Sequence, residues 1–280
     1  MKLFNKTEAS AKRLTLLSII ALSLAALTAI LRTVSLLFFY DRIGYFKSGA
    51  PVPIILGVIY ALAIVFFGAA AFLNKYDEPS VKLTRGSAMA ALLPCVAFIP
   101  YIVSKANMLF SLPAGAKTPI IELLSLLFAI VSAVYFLSLA LSKQPSALSA
   151  VLGVGCIVWS ALAWISSYLD FYVPMNSPDK IFFSLACVGC MLLVLSDVRA
   201  IYGAARPKFY YFSFFSAILV IATSAFPNII GNFKDVFASY SLKYEDAVFA
   251  GILIYAIIRL LDKPQKPSTD NEINSEAEEI

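Results

Sequence analysis

The sequence predicts an all-α fold, a polytopic transmembrane helical bundle with about eight membrane-spanning helices. Three observations predict it. Of 280 residues, 60% are hydrophobic and only 14% charged, and the charges fall between long apolar runs. Most of those runs reach the roughly 20 residues that a helix rising about 1.5 Å per residue needs to cross a ~30 Å hydrocarbon layer. The chain also contains no histidine, which removes imidazole acid–base catalysis, His metal ligands and His proton relays.

In order, the expected spans are Leu14–Phe39, Pro51–Leu73, Gly86–Ser104, Pro119–Ser142, Ala147–Leu169, Ile181–Tyr202, Phe209–Ile230 and Ala247–Leu261. The basic start (Lys2, Lys6, Lys12, Arg13) is like a signal peptide's. The apolar run that follows outlasts a signal's 7–15 residues, so an uncleaved, tilted first helix is expected. The last span is short and must draw on Tyr244 or on flanking charged residues. Residues 1–263 then form the transmembrane domain. Beyond it, Pro264 and Pro267 stop any helix, and Asp270, Glu272, Glu276, Glu278 and Glu279 make 264–280 an acidic tail that is expected to be disordered and cytoplasmic.

Lysine and arginine set the orientation. With both termini inside, fourteen of the 22 fall on the cytoplasmic side and eight outside, which favours N- and C-termini in the cytoplasm of a cell that carries the protein in its plasma membrane. Aromatic clusters mark the boundaries: Phe38 to Tyr40, Tyr168, Phe171 and Tyr172 outside, and Phe209 to Phe212 inside.

The polar residues admitted to the membrane are the candidates for function. Ser18, Ala21, Ala25, Thr28 and Arg32 share one face of the first helix, and Gly153, Cys156, Ser160, Ala163 and Ser167 share one face of the fifth, which ends at Asp170. Small and hydroxyl residues let helices approach closely in lipid, so both stripes are expected to face protein. Glu122 opens the fourth helix above Ser125, Ala129 and Ser132. Two readings stand for these charges. Arg32 pairs with Glu122 or Asp170 in a vestibule open to the outside, or Arg32 snorkels to headgroups while Glu122 complements a helix N-terminus.

The third span contains Pro94 and Pro100, whose rings oppose the carbonyls of Ala90 and Val96. That predicts either a ligand-binding helix break or a simple kink. Asp197 lies near the inner boundary, as a solvated helix end or a gating partner. Cys187-Val-Gly-Cys190 has redox or metal spacing, but thiols in hydrocarbon resist the ionisation that either chemistry needs, so all four cysteines are read as packing residues.

Nothing in the sequence marks a nucleotide, metal or other cofactor site, a nucleic-acid surface or a nucleophile–base pair. The partners implied are the lipid bilayer and a protein partner or second copy. Two functions follow: a small transporter or permease-like protein, or a non-catalytic partner or sensor subunit. A water-accessible cavity reaching Arg32 or Glu122 favours the first, and a solid bundle favours the second. The segment Tyr168-Leu-Asp-Phe-Tyr-Val-Pro-Met-Asn-Ser-Pro178, with Leu195-Ser-Asp-Val-Arg199, resembles uncharacterised multi-pass membrane proteins of clostridial-type bacteria. That resemblance implies a bacterial plasma membrane and no activity.

Overall fold

The computed structural model describes residues 2–40, 45–76, 78–79, 81–113, 119–142, 144–170, 177–233 and 244–261. They form α1 (Lys2–Phe38), α2 (Val52–Leu73), α3 (Arg85–Ala90), α4 (Leu92–Phe110), α5 (Ile120–Leu141), α6 (Ala147–Leu169), α7 (Pro178–Ile201), α8 (Pro207–Phe233) and α9 (Tyr244–Leu261). Seven described stretches are long and apolar enough to span a membrane: Lys12–Phe38 of α1, α2, α3 with α4, α5, α6, α7, and Pro207–Gly231 of α8. The chain is a helical membrane bundle. The eighth expected span is α9, whose 18 residues include Glu245, Asp246 and Arg259. It covers about 27 Å at 1.5 Å per residue, and its two ends join polar clusters at opposite ends of the bundle. The expected acidic tail, 264–280, lies outside the described residues, as do Phe171 and Tyr172.

Consecutive helices α4 to α8 pack side by side, α9 fits between α8 and α4, and α1 and α2 lie against α8. Burial follows from that arrangement. The spanning window of α8 is 83% buried, whereas that of α5 is 28% buried and turns most of its surface to lipid. The small-residue stripes mark the protein-facing sides, as expected: Ser18, Ala21, Ala25, Thr28 and Arg32 are buried in α1, and Gly153, Cys156, Ser160 and Ala163 in α6.

Helix ends are set by local chemistry. Ser177 caps α7 by accepting a hydrogen bond from the Lys180 amide, with Pro178 at the first helical position, where its missing donor costs nothing. Ser146 and Ser149 form a reciprocal capping box at α6. The α7 terminus is a Schellman turn: Gly203 (φ 68°) donates to the Ala200 carbonyl, and Ala204 donates to that of Arg199. A chain reversal of only five residues, Tyr202 to Arg206, then leads into α8.

The expected interruption of the third span is present, at one proline and not two. The helix breaks at Ala91, next to Ala90, whose carbonyl opposes the Pro94 ring. Pro94 therefore falls in the first turn of α4, where a missing amide is tolerated. Pro100 sits inside α4, which continues through it. The kink is filled by another helix. A Cβ at Gly251 of α9 would lie 2.9 Å from both Pro94 Cα and Pro94 N, so the two backbones touch where only glycine fits. Gly251→Val is expected to destabilise the bundle by about 1–3 kcal/mol through overpacking. Gly57→Val, where a Cβ meets nothing within 4 Å, should change little. Unfolding in mixed dodecyl maltoside–SDS micelles would measure both.

Candidate functional site

Arg32 is fully enclosed, at 0% exposure. Its Nη2 donates to Asp179 Oδ1 at 2.7 Å and to Asn228 Oδ1 at 3.0 Å. Nη1 donates to the Thr223 carbonyl at 2.8 Å and to the Ser224 carbonyl at 3.3 Å. The guanidinium lies over the Phe182 ring, 4.1 Å from its centroid, where the ring's negative face attracts a cation. Pro227 explains why a carbonyl is available there. It lies inside α8 and has no amide hydrogen for the residue four before it, Thr223. The arginine supplies the donor that the proline lacks.

Two helix starts complete the cluster. Asp179 is the second residue of α7 and Asp246 the third of α9, so each carboxylate sits at the positive end of a helix dipole. Asn228 links them, accepting from Arg32 and donating through Nδ2 to Asp246 Oδ1 at 3.1 Å. Arg32, Asp179, Asn228 and Asp246 thus pin α1, α7, α8 and α9 together, all at 9% exposure or less.

Neither of the two readings of Arg32 holds, since its cation is enclosed with Asp179 and does not reach out to headgroups. Arg32 meets neither Glu122 nor Asp170, and it lines no open vestibule. Glu122 pairs instead with Lys105, whose Nζ is 2.6 Å from Oε2. Ser166 of α6 donates to Glu122 Oε1 at 2.8 Å. Asp170 is the C-cap of α6, and its carbonyl accepts from Lys180 Nζ at 2.6 Å. Arg32 and Glu122 lie toward the same end of the bundle but belong to separate clusters. The Lys105–Glu122 pair is partly exposed, at 19% and 18% for the side chains. Glu122→Gln should therefore cost no more than about 1 kcal/mol in the same unfolding assay.

The other end holds a buried ion pair. Tyr255 donates to Asp197 Oδ2 at 2.5 Å, and Arg259 Nε lies 3.8 Å from Asp197 Oδ1. Arg259 also donates through Nη1 to the Lys82 carbonyl at 3.3 Å, tying α9 to the α2–α3 connection. Asp197 is only 3% exposed, so it is no solvated helix end. It is the carboxylate of a packed cluster joining α7 and α9.

Between the ends, α4, α5, α6, α7 and α9 enclose a core of aromatic rings. Trp159 packs edge-on against Phe98 and Tyr101, and it also touches Phe249; Phe136 meets Phe98 and Tyr255. Three buried polar atoms in this core lack a hydrogen-bond partner of good geometry: Ser125 Oγ, Tyr135 OH and Trp159 Nε1. Cys156, Cys187 and Cys190 are buried free thiols between the helices, and Cys95 is half-buried. Among the described residues, no cluster of three metal-ligating side chains occurs.

Asp179, Asn228, Asp246 and Pro227 were not singled out from sequence. The signal at Asp179 was present, since Ser177-Pro178-Asp179 is a helix start with a cap, a proline and an acid in order. Placing that start at Ile181 turned Asp179 into a loop residue. Asn228 had no such signal, because only the packing of α8 against α1 and α9 aims it at both partners.

The chain matches no protein-family model, no curated protein and no solved structure.

Proposed function

We propose that this is a small permease-like membrane protein in a state closed at both ends, its path running inside the α4–α5–α6–α7–α9 ring. The observation that carries the reading is a set of buried polar groups inside the ring: Tyr135 OH has no hydrogen-bond partner, and Ser125 Oγ and Trp159 Nε1 have only the Tyr101 hydroxyl beside them, without good geometry. Buried polar groups are normally paired, and an unpaired one points to water or a ligand that belongs there. Charged clusters bound the ring on either side: Lys105–Glu122–Ser166 at one end and Asp197–Tyr255–Arg259 at the other. Each can serve as an ionic gate, because breaking one pair of charges separates two helices. Opening also requires the Phe98, Trp159 and Phe249 rings to turn aside. In this reading the protein lies in a bacterial plasma membrane with both termini in the cytoplasm.

The filled ring favours a second reading, a non-transporting partner or sensor subunit, in which the charges only hold the helices in register. Cysteine labelling separates the two. In a chain with its four native cysteines replaced by alanine, Ser125→Cys should react in cells with a membrane-impermeant thiosulfonate well above a Leu127→Cys control, whose side chain faces lipid. Equal, background-level labelling at both positions would reject the permease reading and leave the subunit one.

A further inference from the structure

At the Arg259 end of the bundle, a cleft of about 490 Å³ opens where α2 ends, α7 turns and α8 begins, and it is lined by Phe72, Arg199, Arg206, Lys208 and Phe209. The fold gathers its charges through the Schellman turn at Gly203, which consumes the Arg199 carbonyl and returns the chain within five residues. Arg206 and Lys208 thereby come beside Arg199. Arg199 stacks over Phe209, 5.7 Å from the ring centroid. Lys208 uses one of its three donors on the Phe72 carbonyl at 2.8 Å, fastening α8 to the end of α2. Among the described residues, none of the three cations pairs with a carboxylate.

Three cations in one cleft that pair with no carboxylate among the described residues, with the first turn of α8 adding the positive end of its dipole, favour an anion. Two guanidinium groups suit tetrahedral phosphate oxygens, which accept their paired donors side by side. The location narrows the source. The cleft lies where apolar helices give way to the α7–α8 turn, the depth of lipid phosphodiesters. Its outer wall, Phe72 with Leu73 beside it, is 54% and 84% exposed, an apolar rail for acyl chains. We infer that this cleft binds a phosphate group, and that the group is the headgroup of an anionic phospholipid.

The test uses the full-length protein extracted from membranes and exchanged into nanodiscs of equimolar phosphatidylcholine and phosphatidylglycerol. Native mass spectrometry then counts the lipids retained. Each basic residue near an anionic surface contributes about 1 kcal/mol, so phosphatidylglycerol should be enriched at least about fivefold. Arg199→Gln/Arg206→Gln should abolish that enrichment, and melting in pure phosphatidylcholine discs confirms that the variant is folded. Enrichment that survives excess inorganic phosphate assigns the site to the lipid. A melting temperature raised by inorganic phosphate in phosphatidylcholine discs, without lipid enrichment, keeps the phosphate site but overturns the lipid as its source. Equal retention of both lipids with no effect of phosphate, or enrichment that persists in the double variant, overturns the proposal.

Discussion

Arg32→Met is expected to lower the stability of the bundle by about 3–5 kcal/mol, because it leaves a buried carboxylate without its cation. Asp179 is 7% exposed, and its Oδ2 already lacks a partner, so water cannot take the arginine's place without opening the helices. The same substitution strands the Thr223 carbonyl, which Pro227 leaves without a backbone donor. Two companion variants separate these contributions. Arg32→Met/Asp179→Leu removes both charges and should recover most of the loss, since a buried pair replaced by apolar residues of similar volume is often neutral. Arg32→Met/Pro227→Ala restores an amide donor to Thr223 and should recover about 1–3 kcal/mol, the cost of one unsatisfied buried carbonyl. Unfolding in mixed micelles reads all four chains. A single variant as stable as the parent would show that the guanidinium is not held by these partners.

Asp197→Ala is the matching experiment at the other end, with a loss of about 3–5 kcal/mol expected from breaking the buried Asp197–Arg259 pair and removing the acceptor of Tyr255. The geometry predicts a graded series. Asp197→Asn keeps an acceptor for Tyr255 and should lose less, while Tyr255→Phe removes a single hydrogen bond to a charged group, about 1.5–3 kcal/mol. The functional reading adds an outcome that stability alone does not give. If Asp197–Tyr255–Arg259 is a gate, Asp197→Asn should raise thiol labelling at Ser125→Cys in inside-out membrane vesicles, where the reagent meets the cytoplasmic end of the ring. Unchanged labelling in a folded variant would make the cluster a structural lock.

Much of the fold was legible because a bilayer reduces the problem to a few constraints. Every backbone polar group must be satisfied within its own segment, so long apolar runs become helices with little ambiguity. Ala147–Leu169 and the end of α2 at Leu73 match the expected bounds residue for residue. The starts of α7 and α9 lie three residues before the expected ones, in both cases because an acidic residue in the first turn reads as loop by hydropathy. The faces were legible too, since small-residue stripes at helical spacing mark where helices touch.

The site was only half legible. Arg32 was identifiable as a charge on a protein-facing stripe, yet its partner was not, because Glu122, Asp170 and Asp179 all fall near the same end and hydropathy gives no lateral order. The order of the helices decides it: α1 packs on α8, beside the start of α7, whereas Glu122 sits with α4 and α6. For Asp197 the hydrogen-bond partner Tyr255 is 58 residues further along the chain, near the far end of α9, beyond the reach of any local signal.

By itself, then, the sequence determined that the protein is a helical membrane bundle, where most helices lie, and which faces turn inward, since each follows from composition and period along one segment. Only the tertiary structure decided which charges meet. Ion pairs depend on the lateral neighbours of each helix, and those are chosen by side-chain packing between segments far apart in the chain: Arg32 with Asp179, Lys105 with Glu122, and Asp197 with Tyr255 and Arg259.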